Sequence, residues 1–237
     1  YDPAVGRWTT MDPLCEKYHS VSPYAYCHNN PVNRIDPDGR DDYYSVGGQF
    51  LFRDSKKTDR IIIRDLVSYS TKQQGWEFGP NPDTPIEQTV LSAEAYSKIF
   101  TNILSEMKDV DIYLLHNQSV SVVVSPNDYD IESTFNDPYS AFSSEGVVNA
   151  ATQHLNGVKK ITACINYLGA SDNRKLFATL SNVQNLLGVH EYIGHGVKGW
   201  SGSNHKLVYK NQFKHPSWKR TTGYFKRQEL SNYQKVK

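Results

Sequence analysis

Apolar positions along the chain follow two different periods. Between residues 41 and 54 the apolar residues fall in two short stretches around Gly47-Gly48, which predicts a strand, a tight turn and a second strand. Residues 60–69, built on Ile61-Ile62-Ile63, predict a further strand, and residues 79–85 a loop. The period then changes. Ile86, Val90, Ala93, Tyr96, Phe100, Ile103 and Met107 recur in steps of three and four, which predicts a helix with a core-facing stripe. Thr84 is its expected N-cap, with Pro85 at the first helical position and Glu87 in the first turn.

Residues 111–117 and 119–125 read as two strands of a hairpin, and residues 126–146 as loop. Residues 145–155 suggest a short helix, and residues 159–167 a buried strand. From a cap at Ser171 or Asp172 a long helix begins. Leu176, Leu180, Val183, Leu187 and His190 share one of its faces, and Gly188 is where it would divide in two. The expected fold class is α+β. A small antiparallel or mixed sheet precedes this helix, and residues 1–40 form short β segments separated by turns. No internal repeat or low-complexity tract is visible.

Composition narrows the classes. A formal net charge of +1 over 237 residues excludes a polyanion binder driven by bulk charge. Sixteen tyrosines and many Asn and Asp residues favour strands and turns over long helices. The mean hydropathy of −0.61 leaves room for a core under a polar, loop-rich surface. Cys15, Cys27 and Cys164 form no C-x-x-C pair, which argues against a disulfide framework and a thiolate zinc site. No apolar run reaches signal-peptide or membrane length. The chain opens on Tyr1 and reads as the end of something longer.

The chemistry concentrates in "HEYIGH", residues 190–195. A zinc helix commonly places two histidines at i and i+4 with a glutamate after the first. Here His190 and His195 are five apart. On an ideal α-helix they would point about 140° apart instead of about 40°. A π-type turn absorbs one extra residue and would bring them together. Gly194 lowers the steric cost of that distortion. The six residues are similar to the H-E-x-x-G-H motif of the dipeptidyl peptidase III family, which are zinc peptidases. The resemblance implies Zn2+ on His190 and His195 with Glu191 as the general base, and implies nothing about the fold.

A zinc site needs a third protein ligand and an open position. His205 follows across a glycine-rich loop and is preferred, then Glu229 in an expected final helix, then His215. His116 and His154 read as structural. Tyr192, Tyr209 and Tyr224 are the possible donors to a developing oxyanion.

The first forty residues carry a second resemblance. Tyr1-Asp2-Pro3, Gly6-Arg7-Trp8, Asp12-Pro13-Leu14, Ser22-Pro23-Tyr24, Asn29-Asn30-Pro31-Val32 and Asp36-Pro37-Asp38-Gly39 closely resemble the C-terminal end of the core of Rhs/YD-repeat proteins. That family's core is a β-shell around a variable C-terminal toxin, released in many members by autoproteolysis after Pro-x4-Asp-Pro-x-Gly-Leu. Pro31 to Gly39 fit, but Arg40 replaces the apolar residue. Asp12 and Asp36 are the aspartates to test for self-cleavage, or they only cap turns. The resemblance implies residues 1–40 as the shell's end and residues 41–237 as the toxin domain. It also implies delivery into a competing cell by a bacterial secretion system, and a cognate immunity protein.

A rival clue lies downstream. Nine Lys/Arg stand against one acid, Glu229, between Lys206 and Lys237, with Trp218, Tyr224 and Phe225 interleaved. Such a patch could hold nucleic acid. No HNH-like spacing accompanies it, so a nuclease is the alternative reading, and a non-catalytic binding or pore-forming payload a further one. The reading with most support is a zinc metallopeptidase toxin that acts on proteins or peptides of a competing cell.

Overall fold

The computed structural model describes residues 41–54, 58–70, 75–79, 83–111, 120–125, 149–155, 158–167 and 172–236. The shell resemblance over residues 1–40, with Asp12 and Asp36, lies outside them, as do His116 and most of the expected 111–125 hairpin.

Among the described residues the fold mixes helices with three small sheets. In the first, β1 (Asp42–Ser45) pairs antiparallel with β2 (Phe50–Arg53) around the Gly47-Gly48 turn, as the pattern predicts. Gly48 takes φ +81°, and a Cβ there would run into the Ala95 backbone, so only glycine fits. β3 (Ile61–Arg64) lies parallel to β1 on its other side. Residues 60–69 thus form two strands instead of one. β4 (Leu66–Ser70) leaves the first sheet and pairs with β5 (Gly75–Phe78).

β6 is only Thr84–Pro85, antiparallel to β3. Thr84 is therefore a strand residue and not the expected cap. A short 3-10 turn at Ile86–Gln88 follows, and α1 (Ala93–Ser105) starts later, with Ser92 Oγ accepting from the Ala95 amide. The strand pairing with β3 outweighed the Thr-Pro start signal. The stripe survives: Tyr96, Phe100, Ile103 and Met107 are buried, while Val90 is exposed.

β7 (Ser121–Ser125), β8 (Ala150–Leu155) and β9 (Val158–Asn166) form the third sheet in the order β7-β9-β8. β9 is the buried centre, parallel to β7 and antiparallel to β8. The helix expected over 145–155 is β8 over its described part, because pairing with β9 outweighs the local periodicity.

The motif helix, α2, begins at Leu180 and not at Ser171 or Asp172. Thr179 Oγ1 caps it by accepting from the Asn182 amide. Its first four residues, Leu180–Val183, are α-helical, and Gln184–Val197 continue as π-helix. Gly188 does not divide it. That glycine is buried against Met107 and Leu104 of the α1 end, where a side chain would collide. Asp59 joins the first sheet to this helix: its carbonyl accepts from the Leu180 amide at 3.0 Å and its Oδ2 from the Ser181 amide at 3.0 Å.

Three helices complete the chain: α3 (His205–Lys214), α4 (Pro216–Arg220) and α5 (Gly223–Lys235). Two buried asparagines of α2 hold them. Asn182 Oδ1 accepts from the Thr222 amide at 3.0 Å, and Asn185 Nδ2 donates to the Gln212 carbonyl and to Ser217 Oγ. One core, including Ile99, Phe100, Leu104, Ile161, Ile165, Phe177, Val183 and Leu187, lies between α1, the third sheet and α2. Among the described residues no helix is long and apolar enough to cross a membrane.

Candidate metal centre

The π winding answers the spacing problem. In a π-helix the backbone bonds run from i to i+5, as Lys198 N to Ile193 O does at 2.9 Å, so residues five apart take neighbouring places on one face. His190 and His195 accordingly have ring centroids 5.1 Å apart. The helix ends at Gly199, whose φ of +65° turns the chain out, and the Trp200 amide returns to the Gly194 carbonyl at 3.1 Å. A 3-10 turn at Gly202–Asn204 follows, and His205 opens α3.

This brings His205 back to the pair. One nitrogen from each of His190, His195 and His205 lies within 4.8 Å of the others. Nε2 of His205 is 3.2 Å from Nε2 of His190. Four-coordinate zinc with Zn–N of about 2.05 Å requires nitrogens about 3.4 Å apart. The His190–His205 pair is within a few tenths of an ångström of that spacing, and with all three nitrogens inside 4.8 Å the three histidines could hold a metal ion once they close up.

In His190 and His195 the Nδ1 nitrogen has a partner of its own outside the cluster. Nδ1 of His195 donates to the Trp200 carbonyl at 2.6 Å. Nδ1 of His190 lies 2.9 Å from Gln212 Oε1. Burial also keeps the rings neutral, which is the ligating form. It holds His190 well below the usual histidine range, lowers His195, and pulls His205 down to about 4.

Glu191 is buried, and Thr152 Oγ1 of β8 donates to its Oε2 at 2.8 Å. Burial pushes its carboxyl up to about 7, with the Thr152 bond opposing. A carboxyl near neutrality is suited to taking up and releasing a proton.

The structure separates the other candidates. Glu229, on α5, lies behind His190. Its Oε2 is 4.0 Å from Nδ1, the nitrogen turned away from the cluster, and accepts from Gln212 Nε2 at 2.7 Å. His215 caps α4 through Ser217 and pairs with Asp109 at 3.5 Å, outside the cluster. Tyr209 stands edge-on to His190 at 4.7 Å and beside His205 at 5.2 Å. Tyr192 neighbours Asp111, and Tyr224 carries Lys175 over its ring, so neither belongs to the cluster. The side chain of His154 lies outside the described residues.

Sequence reasoning missed Gln212, Thr152 and the Trp200 carbonyl. Gln212 had a signal: it lies seven residues after His205, two turns along one helix face, with Tyr209 between them. Thr152 had none, because only tertiary pairing sets β8 beside α2.

No protein-family model matches the chain, and no solved structure matches it. Over 40 residues, 17% of the chain, it is 55% identical to Salivary gland surface protein 1 of Aedes aegypti. Those 40 residues are 1% of that protein, so the chain spans only a very small part of its length.

Proposed function

We propose that the chain is a zinc-dependent metallopeptidase, carried as the C-terminal payload of an Rhs-type polymorphic toxin. One observation carries the enzymatic part: three imidazoles converge from a π-wound helix and a following helix, with a buried glutamate directly after the first. The toxin part rests on the resemblance over residues 1–40.

His190, His195 and His205 would hold the ion. Zinc bound there supplies Lewis acidity and brings the pKa of a coordinated water toward neutrality. Glu191 takes a proton on its carboxylate and returns it to the leaving amine. Thr152 holds that carboxylate by donating to Oε2. Tyr209, which flanks both His190 and His205, is the best placed of the three tyrosines to donate to a developing oxyanion.

The nuclease alternative loses one of its three aromatics to the core. Trp218 packs on Phe213 at 4.5 Å and on Phe225 at 6.2 Å, and Phe225 is fully buried. Phe225 therefore serves the core, while Trp218 is partly buried with Lys226 over its ring. The exposed lysines and arginines of α3–α5 read better as a docking face for an acidic immunity protein.

Metal content of the purified chain tests the site. The expected result is about one zinc per chain, lost in His190→Ala, His195→Ala and His205→Ala. Glu191→Gln should keep the zinc and lose at least about 100-fold in cleavage of labelled casein. A chain that takes up no zinc when it is supplied would overturn the reading. Nuclease assays on DNA and RNA would then follow.

A further inference from the structure

Two buried residues outside the HEYIGH motif form a chain behind His190. Gln212 is on α3, two turns after His205, and is fully buried. Its Oε1 lies 2.9 Å from His190 Nδ1. Its Nε2 donates to Glu229 Oε2 at 2.7 Å, and Glu229, on α5, is 2% exposed. The Gln212 carbonyl also accepts from Asn185 Nδ2 of α2 at 3.2 Å, so its backbone is held to the motif helix.

We propose that Gln212 and Glu229 are positioning residues for a metal ligand: together they hold His190 in the Nδ1–H tautomer and turn its Nε2 toward His195 and His205. The direction of each bond supports this. Glu229 accepts, so the NH2 of Gln212 faces it. The amide oxygen of Gln212 then faces His190. An amide oxygen can only accept, so the proton is on His190 Nδ1 and the lone pair is on Nε2.

Buried polar groups cost stability unless paired, and apolar side chains at 212 and 229 together would fill the space without that cost. What the pairing adds is orientation. Histidine ligands generally donate their second nitrogen to a carboxylate or carbonyl, and loss of that partner weakens metal binding about 10–100-fold. Here an amide stands between the imidazole and the carboxylate. The carboxylate therefore comes from α5, and the metal centre is tied to the last helix of the fold. The assignment rests on His190 as a ligand in the proposed function.

The experiment uses the whole chain with two readouts. The first is the His190 tautomer in metal-free protein, from 15N–1H NMR of its ring nitrogens. The second is the zinc dissociation constant, by competition with a chromophoric chelator. Wild type should show one Nδ1–H tautomer. Gln212→Leu should show a tautomer mixture and zinc binding about 10–100-fold weaker, with helical content unchanged. The exchange variant Gln212→Glu/Glu229→Gln restores an acceptor for Nδ1–H and a donor behind it, and should recover both.

A Gln212→Leu chain with wild-type tautomer and affinity would overturn the proposal. If Gln212→Leu does not fold, the exchange variant decides: loss of the Nδ1–H tautomer there overturns it equally. A wild-type chain that binds no zinc would defeat the metallopeptidase reading, and the tautomer measurement would still judge the relay.

Discussion

Gly194 and Val208 touch with no room for another atom: a Cβ at 194 would stand 2.6 Å from Val208 Cγ1. This contact lets α3 lie close on the motif helix, and His205 sits three residues before Val208 on α3. Valine is branched at Cβ and cannot turn away cheaply. Gly194→Ala should push α3 outward, cost about 1–3 kcal/mol of stability, and weaken zinc binding. Gly188→Ala meets the flexible end of Met107 and should be milder on both counts. Denaturant unfolding and zinc titration of the two variants, side by side, check the contrast. Equal behaviour would show that closeness at Gly194 is not what places His205.

Asp59 carries φ +60° and caps the motif helix from 122 residues away in sequence. Asp59→Ala loses the side-chain acceptor and keeps the left-handed strain. It should cost about 1–2 kcal/mol, whereas Asp59→Asn keeps an acceptor and should cost less. Melting curves of the two variants measure the difference.

The Arg53 guanidinium grips Asp42 with two nitrogens and reaches Glu106 at 2.7 Å, with Arg53 and Asp42 both buried. Burial pushes Asp42 up to about 6, Arg53 opposes this, and Glu106 and Asp59 add to the rise. Arg53→Met removes the opposing charge and should cost about 3 kcal/mol at pH 7.5. The sign of the pH effect follows from proton uptake. With the folded carboxyl raised above its unfolded value, the native state holds a proton that the unfolded chain has released. Stability is then full below about pH 4 and falls as pH rises through the folded pKa. The variant should therefore approach wild type at pH 4.5, and a loss independent of pH would contradict the assignment.

Zinc should stabilise the chain by mass action. At a free concentration 100 times its dissociation constant the gain is about 2.7 kcal/mol, reversed by a chelator. His205→Ala should abolish the gain. Glu191→Gln should keep it. Thermal melts with and without zinc check both.

The legible parts of the sequence were local. The Gly47-Gly48 hairpin, the α1 stripe and the β9 strand follow from spacing and turn chemistry. The i, i+5 histidine pair announced a π distortion, though its extent over Gln184–Val197 was not legible. What failed was decided by partners distant in sequence. Thr84-Pro85 carries a helix-start signal but pairs with β3, and Ala150–Leu155 reads as helix but is edged onto β9. Gly188 reads as a helix breaker, but α1 needs the space that its missing side chain leaves. At the site, the two motif histidines and the returning His205 were visible as residue types at plausible spacing. Gln212 and Thr152 were not, because an amide and a hydroxyl show no chemistry until burial and a neighbour give them one.

The π winding of α2 has a mechanical side. Such winding is rare, and rewinding as α-helix would swing His195 about 100° further round and away from His190. Helix pitch and ligand spacing are thus a single coordinate. An ion gripped by His190 and His195 would act as a clasp on that pitch, and the tendency of the backbone to rewind would act as a spring against the clasp.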